Sequence, residues 1–359
     1  MFRSKRNALV KRLWKHRITN NETDSTTETV EDLEIKSVAQ SMLKRLDEKQ
    51  LQLLVDSVES KGGETTDCVL LPVGDLKLGR RMVAPHILCC QIWRWPGISE
   101  NVELKRLLCC SSINDQTHIC CNPYHWNVQM SAHCRLDTER VKINTGNVFS
   151  YCLINMNGKS TETGLTPTAH RQYYSEVEDL SEDIPSRCGG PHWCSIAYWE
   201  LRQRVGRLFT VFNPSISVFQ NLPHGDGMSL EILQNKPNLE SVKRTREKIG
   251  FGIILSKEAD GVWVYNRSSY PIFVNSPTLD DPESRTLIVR KVLPGYSIKI
   301  YDFELAKELE LSRDPALLDG PFDPCSIRIS FAKGWGPFYS RQFVTSCPCW
   351  LEILLNIKR

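Results

Sequence analysis

The chain has 359 residues, of which 41% are hydrophobic and 24% charged, with a formal net charge of only +3. That balance excludes a wholly disordered chain, supplies apolar material for ordinary cores, and at this length favours two domains over one. So small a charge does not by itself indicate a nucleic-acid partner, and only local basic clusters can argue that case.

The first basic cluster opens the sequence. Met1 to Arg17 carries Arg3, Lys5, Arg6, Lys11, Arg12, Lys15 and Arg17 with no acidic residue, but has no unbroken apolar run and so does not read as a secretory signal. No window reaches the roughly 18 consecutive apolar residues that a bilayer-spanning helix needs, so a soluble chain without membrane insertion is expected. Asn20 to Glu34 is acidic, Thr-rich and poor in apolar residues, and is expected to be a mobile link to the fold proper.

Val38, Met42 and Leu46 then recur at helical spacing. Asp47 stands three residues before Gln50, the pattern of a capping box, ahead of a second helix bearing Leu51, Leu54, Val55 and Val58 that ends at Gly62-Gly63. From Cys68 to Tyr124 the predicted elements are short. Strand-like Val69-Leu70-Leu71 and His86-Ile87-Leu88 flank a Gly-containing hairpin, and a helical stretch is predicted around Val102 to Leu108. A domain of such small pieces needs a metal.

The fourteen cysteines include the adjacent pairs Cys89-Cys90, Cys109-Cys110 and Cys120-Cys121. With no export signal they point to a reducing compartment, where some thiols bind metal and the rest are small buried hydrophobes. Cys120-Cys121-Asn122-Pro123-Tyr124-His125, with Cys109-Cys110 and Cys68 upstream, offers three thiolates and an imidazole. That is the closed tetrahedral shell of structural zinc. No CxxC pair is present, so the residues alone leave two readings open, zinc ligands or buried free cysteines.

The stretch between Arg135 and Arg187 is rich in Asn, Thr, Ser and Glu without periodicity and reads as a linker. His133-Cys134 at its edge is the nearest approach to a nucleophile and base. With no HExxH, no Gly-rich phosphate loop and a closed metal shell, no enzyme is expected. After His192 the pattern turns to strands: Cys194 to Trp199, Gly206 to Phe212, Ile216 to Phe219, Gly252 to Leu255, Val262 to Tyr265, Ile272 to Val274, Ser297 to Ile300, Ser326 to Phe331 and Trp350 to Leu355. Such a series predicts a β-sandwich. Two helices interrupt it, Leu239 to Lys248 with Lys243, Arg244, Arg246 and Lys248, and Asp302 to Leu311 with an apolar face at Phe303, Leu305, Ala306 and Leu309.

Cys89-Cys90-Gln91-Ile92-Trp93-Arg94-Trp95-Pro96 and the string Cys120 to His125 resemble the signatures of the amino-terminal Mad-homology domain of Smad proteins. The resemblance implies one structural Zn2+ ion on Cys68, Cys110, Cys120 and His125. Because the interval to Cys120 is shorter than usual, Cys109 is an alternative to Cys110. In signal-transmitting members a β-hairpin of this domain reads the DNA major groove. The matching segment here, Pro72 to Arg81, is shorter and lacks the glutamine, which leaves Lys77, Arg80 and Arg81 as weak phosphate contacts.

His192-Trp193-Cys194-Ser195-Ile196-Ala197-Tyr198-Trp199-Glu200, Asp260 to Ser268 and Lys333-Gly334-Trp335-Gly336 resemble the carboxy-terminal Mad-homology domain, a β-sandwich with a helical bundle at one end and a loop-helix region at the other. Trp193, Trp199 and Trp263 are expected in its core. Receptor-activated Smads end in Ser-x-Ser, whereas no serine follows Ser346 here, and Ser346 to Trp350 together with Met1 to Val10 resemble the inhibitory branch. The resemblance implies an antagonist of TGF-β/BMP-type signalling in cytoplasm and nucleus that occupies activated type I receptors, competes with receptor-activated Smads and contributes to transcription regulation. The alternative is a DNA-binding transcription factor of the common-partner or receptor-activated type.

Such a receptor presents phosphorylated serines and threonines, which guanidinium and ammonium groups suit. The candidate receptor-binding residues are therefore Lys243, Arg244 and Lys248 on the helix and Lys333, Tyr339 and Arg341 on the loop. Other Smads are expected partners as well. The PPxY motif by which many vertebrate inhibitory members recruit ubiquitin ligases is missing. The expected architecture is α+β: residues 1–135 a zinc-binding amino-terminal domain with a basic start, 136–187 a flexible linker, and 188–359 the carboxy-terminal sandwich.

Overall fold

The computed structural model describes residues 2–18, 30–98, 102–130, 192–223, 227–233, 239–280, 287–312 and 323–356. The expected linker 136–187 and the His133-Cys134 pair lie outside the described residues. The basic start forms helix α1 (Phe2–Lys15), whose Leu9 and Leu13, one turn apart, are buried in the amino-terminal core. Its cations bind the helix beneath, Lys5 to Glu48 at 2.6 Å and Arg12 to Glu59 at 2.7 Å.

Helix α2 (Val30–Leu43) corrects the expectation of a loose segment running through Glu34, because the chain is helical from Val30 onward. The reason is packing: Ile35, Val38, Ala39 and Met42 place an apolar stripe on the core. Helix α3 (Glu48–Glu59) starts at Asp47, whose carboxylate accepts the Gln50 N–H at 2.7 Å. Only half of the capping box forms, since the Gln50 amide donates instead to the Leu70 carbonyl at 3.1 Å.

Strand β1 (Leu70–Pro72) pairs antiparallel with β5 (His118–Cys120), and β2 (Leu76–Leu78) with β3 (Arg81–Val83) makes the expected hairpin. Two expectations fail between them. His86-Ile87-Leu88 belongs to helix α4 (Pro85–Trp93), which begins with Pro at its first turn and is buried on several sides, so its apolar run carries no strand alternation. The stretch predicted as helical around Val102 to Leu108 contains strand β4 (Leu104–Arg106), held antiparallel to β6 (Trp126–Met130).

The carboxy-terminal half is a two-sheet fold. One sheet contains β9 (Ser215–Phe219), β10 (Gly227–Ser229), β11 (Ile253–Lys257), β12 (Gly261–Asn266) and β15 (Tyr296–Asp302). The other has the order β14 (Arg290–Val292), β13 (Ile272–Asn275), β16 (Ser326–Phe331), β17 (Trp350–Leu355), β7 (Cys194–Glu200), β8 (Gln203–Val211). All nine predicted runs are strands; β10 and β14, three residues each, carry too little alternation to be predicted. Helices α5 (Leu230–Leu233), α6 (Glu240–Ile249) and α7 (Phe303–Ser312) accompany the sheets.

The core lies between the sheets and joins Leu255, Val264 and Ile298 of one to Ile196, Ile329 and Leu351 of the other. Trp193 and Trp263 are buried, and Trp199 is half-buried, stacked on Trp350 with ring centroids 5.2 Å apart. Gly252, at φ +67, passes so close to β9 that a Cβ there would stand 1.9 Å from the Val218 carbonyl oxygen, which only glycine permits.

The first of these sheets does not stop at the domain boundary. Its full order is β10-β9-β11-β12-β15-β6-β4, with β6 of the amino-terminal half lying parallel to β15 in the register Val128 with Tyr296, Gln129 with Ser297 and Met130 with Ile298. Side chains reinforce the joint. The Lys105 ammonium sits 2.8 Å from Glu258 and 3.4 Å from the Trp263 ring centroid, and Ser297 donates to Asn127. The Arg94 guanidinium donates to the carbonyls of Pro123 and Trp126 and to the Tyr265 hydroxyl, 4.1 Å over Trp95.

Replacing Lys105 by Met should weaken the joint by about 1 kcal/mol, the combined worth of a partly exposed ion pair and a cation–π contact. The readout is faster amide exchange across Tyr296–Ile298 with β16 unchanged. Equal exchange in both strands would remove the claim.

Candidate metal centre and basic face

Strand β5 delivers Cys120, and the following 3-10 turn, Pro123–His125, delivers His125. Asn122 caps that turn by accepting from the Tyr124 N–H at 3.0 Å while its amide donates to Thr66 at 2.8 Å. The loop after β4 brings Cys110 in through a turn closed by its N–H to the Leu107 carbonyl at 2.9 Å, and Cys68 arrives just before β1.

The sulfurs of Cys68, Cys110 and Cys120 and a ring nitrogen of His125 all lie within 4.8 Å of one another. Cys68 is 3.7 Å from Cys110, and His125 Nδ1 is 3.5 Å from both Cys68 and Cys120. Cys109 is exposed and outside the group, so the geometry selects Cys110 of the adjacent pair.

The donor chemistry fits a soft divalent ion. His125 Nε2 stands 3.0 Å from the Thr66 carbonyl oxygen, which can only accept, so Nε2 carries the proton and Nδ1 turns its lone pair inward. The hydrogen bond from Cys120 is the largest influence holding the Cys68 thiol down to about 5 and the Cys110 thiol down to about 3, against the opposing effect of burial. Cys120 keeps the proton and is pushed upward by the same bonds to Cys110 and then Cys68. Thiolate charge gathered in a half-dry site needs a cation, and the cluster can hold a metal ion.

His86, on α4, stacks on Trp126 at 4.4 Å, and its buried Nδ1 has no hydrogen-bond partner among the described residues. Burial first, then the Arg106 charge, pulls its pKa down to about 4. A base depressed on folding is neutral in the native state and protonated in the unfolded one, so stability is lost as pH falls from about 6.5 toward 4. Between neutrality and pH 5 this should cost about 2 kcal/mol. Urea titrations of the wild type and His86→Phe should show a smaller acid loss in the variant; parallel losses would exclude His86 as the cause.

A second chemical feature lies on the carboxy-terminal half. Helix α6 packs on β16, the strand that runs into the loop 332–349. Of the four basic residues on this helix, Arg246 turns inward and makes a two-pronged pair with Glu200 at 2.6 and 2.8 Å, with both side chains largely buried. Arg244 stays exposed and pairs with Glu240 at 3.0 Å, while Lys243 is exposed.

Lys248 and Arg341 both come close enough to Lys333 that, after burial, their two charges hold the Lys333 ammonium below the usual lysine range. The Lys248 nitrogen also lies 5.2 Å from the Tyr270 ring centroid. Tyr339 is anchored edge-on against Phe273 with ring centroids 5.3 Å apart and is half-buried. Lys248 and Arg341 thus converge on Lys333, while Arg244, one turn before Lys248 on the same helix, is paired with Glu240.

Residues 35–130 match the MH1 domain model and residues 191–356 the MH2 domain model. The chain is 48% identical over 338 residues to Mothers against decapentaplegic homolog 6 of Gallus gallus, which covers 91% of this chain and 76% of that protein. Homolog 7 of Mus musculus is 41% identical over 346 residues, covering 90% and 79% respectively, and Dwarfin sma-3 of Caenorhabditis elegans is 32% identical over 302 residues, covering 79% and 75%. The chain belongs to the inhibitory branch of the Smad family.

As an inhibitory Smad it acts in TGF-β/BMP signalling, in a family of signalling and transcription adaptors. No helix among its described residues is long and apolar enough to cross a membrane. Its MH1 domain fits zinc and DNA binding. In this inhibitory Smad, Lys77, Arg80 and Arg81 are exposed on the β2–β3 hairpin, where the Glu34 carboxylate of α2 stands against Gly79 at the turn. That carboxylate lowers the positive potential a phosphate would meet. Sequence reasoning missed Tyr270 beside Lys248 and the exposed aromatics of the loop, which have no periodic signal.

Proposed function

We propose that this inhibitory Smad antagonises signalling by seating the phosphorylated serine/threonine segment of an activated type I receptor on Lys248, Lys333 and Arg341, thereby excluding receptor-activated Smads. The observation that carries this reading is the approach of Lys248, on α6, and Arg341, on the loop after β16, to Lys333 of the same loop, none of the three having a carboxylate partner among the described residues. Like charges brought together lose stability until an anion arrives, and a phosphate supplies both the charge and several acceptor oxygens.

One zinc ion on Cys68, Cys110, Cys120 and His125 serves as a structural staple, leaving no open coordination position for substrate. The protein therefore works as an adaptor without a catalytic centre, in cytoplasm and nucleus, with other Smads as further partners. DNA is a weak phosphate-only contact through Lys77, Arg80 and Arg81. Co-precipitation with constitutively active type I receptors of both pathway branches, with and without phosphatase treatment, tests the reading. Retention that depends on receptor phosphate is expected; equal retention after dephosphorylation would overturn it.

A further inference from the structure

Four aromatic side chains are exposed among the described residues, and three of them are linked to the basic face: Phe338 at 84% and Phe343 at 59% on the loop that carries Lys333 and Arg341, and Tyr270 at 43% beside Lys248. Phe338 and Phe343 bracket Arg341 along the chain, and Tyr270 lies under Lys248. A phenyl ring left this open in water forgoes a large apolar burial, and exposed aromatics beside arginine are the usual anchors of recognition surfaces.

Phe338 cannot fold back into the domain because the loop around it is fixed. The Gly336 N–H donates to the Arg341 carbonyl at 2.7 Å and the Tyr339 N–H to the Gly336 carbonyl at 3.1 Å, closing a tight turn with Phe338 on its crest. Trp335 before it is buried, and Tyr339 after it is wedged between Phe273 and Gly334, where an added Cβ would stand 2.5 Å from the Tyr339 ring. The ring is therefore presented by a preorganised frame, which reduces the ordering cost of contact.

We infer that the basic face is a composite site, in which Lys248, Lys333 and Arg341 take the phosphates while Phe338 and Phe343 seat a large apolar side chain of the same segment. The ligand class is then a phosphorylated serine/threonine segment flanked by a bulky apolar residue, rather than a cluster of phosphates alone. This rests on the phosphate reading given above and adds the apolar half of the recognition. Cations alone would accept any phosphorylated strand, and the rings supply the discrimination that charge lacks.

The test uses the full chain and synthetic Gly-Ser peptides carrying two phosphoserines, in which one Leu is walked through the four positions after the second phosphate, with an all-polar phosphopeptide and unphosphorylated versions as controls. Fluorescence anisotropy should find at least one Leu position that binds about tenfold more tightly than the all-polar phosphopeptide. Phe338→Ala should erase that gain and leave the all-polar phosphopeptide unchanged, while Lys333→Ala with Arg341→Ala should weaken both.

Equal binding of Leu-bearing and polar phosphopeptides would overturn the aromatic half and leave the phosphate reading standing. Failure of phosphorylation to improve binding of any peptide would overturn both. Loss of a concentration-dependent increase in mass in Phe338→Ala, with peptide binding unchanged, would assign the rings to contact between copies of the chain and also overturn the inference.

Discussion

Removing metal from the purified chain with a strong chelator is expected to unfold residues 30–130. Metal binding to a structural cysteine–histidine set carries apparent free energies of about 10–16 kcal/mol in zinc-finger peptides, as large as the whole stability of an ordinary domain at about 5–15 kcal/mol. Without the cation, the thiolate charge at Cys68 and Cys110 and the proton held by Cys120 must share a site 4.8 Å across.

The same four residues fix the ends of β5, the Pro123–His125 turn and the loop after β4, so β6 should lose its anchor at once. The measurements are loss of helical circular dichroism and of amide protection in α3 and β6, with β16 and β17 retaining theirs. Cys120→Ser should reproduce the result without chelator. A metal-free chain with native protection in β6 would refute it.

Simultaneous replacement of Lys248, Lys333 and Arg341 by Ala is expected to lower affinity for phosphorylated receptor by about a thousandfold. Each lost charge-assisted bond costs about 1.5–3 kcal/mol in isolation, and three that share one ligand sum to less than their separate values. The wild-type affinity should fall with added salt and that of the variant much less. Arg244→Ala is the internal control. Its guanidinium is exposed and tied to Glu240, so a change of more than about twofold on its removal would move the phosphate site along the helix.

What the sequence revealed and what it concealed divide along the range of the interactions. Alternation and capping are local, so Asp47 marked the start of α3 and the alternating runs marked the strands from β7 to β17 other than the three-residue β10 and β14. His86-Ile87-Leu88 misled because three apolar residues fit either period, and Pro85 at the first helical turn was the overlooked sign. Val102 to Leu108 misled because β4 is a strand only through its pairing with β6. The metal set has no CxxC spacing, so the residues became legible as a group only through resemblance, and the choice between Cys109 and Cys110 needed coordinates.

The basic residues on α6 looked equivalent in the sequence. Their separation into an inward partner of Glu200, an exposed pair with Glu240 and a member of the cationic group depends on which face of the helix meets β16. The aromatic neighbours are invisible in the sequence for a similar reason, since an exposed Phe and a core Phe read alike.

The parallel alignment of β6 with β15 has an effect on how the two halves find each other. Parallel neighbours cannot be joined by a hairpin, and β7 to β14 intervene in the sequence between these two strands, so the covalent path from β6 to β7 holds the halves at an effective concentration on the order of millimolar. Two separately made polypeptides ending and beginning within that path should therefore assemble when mixed at high concentration and drift apart on dilution, whereas the intact chain stays closed however dilute it becomes.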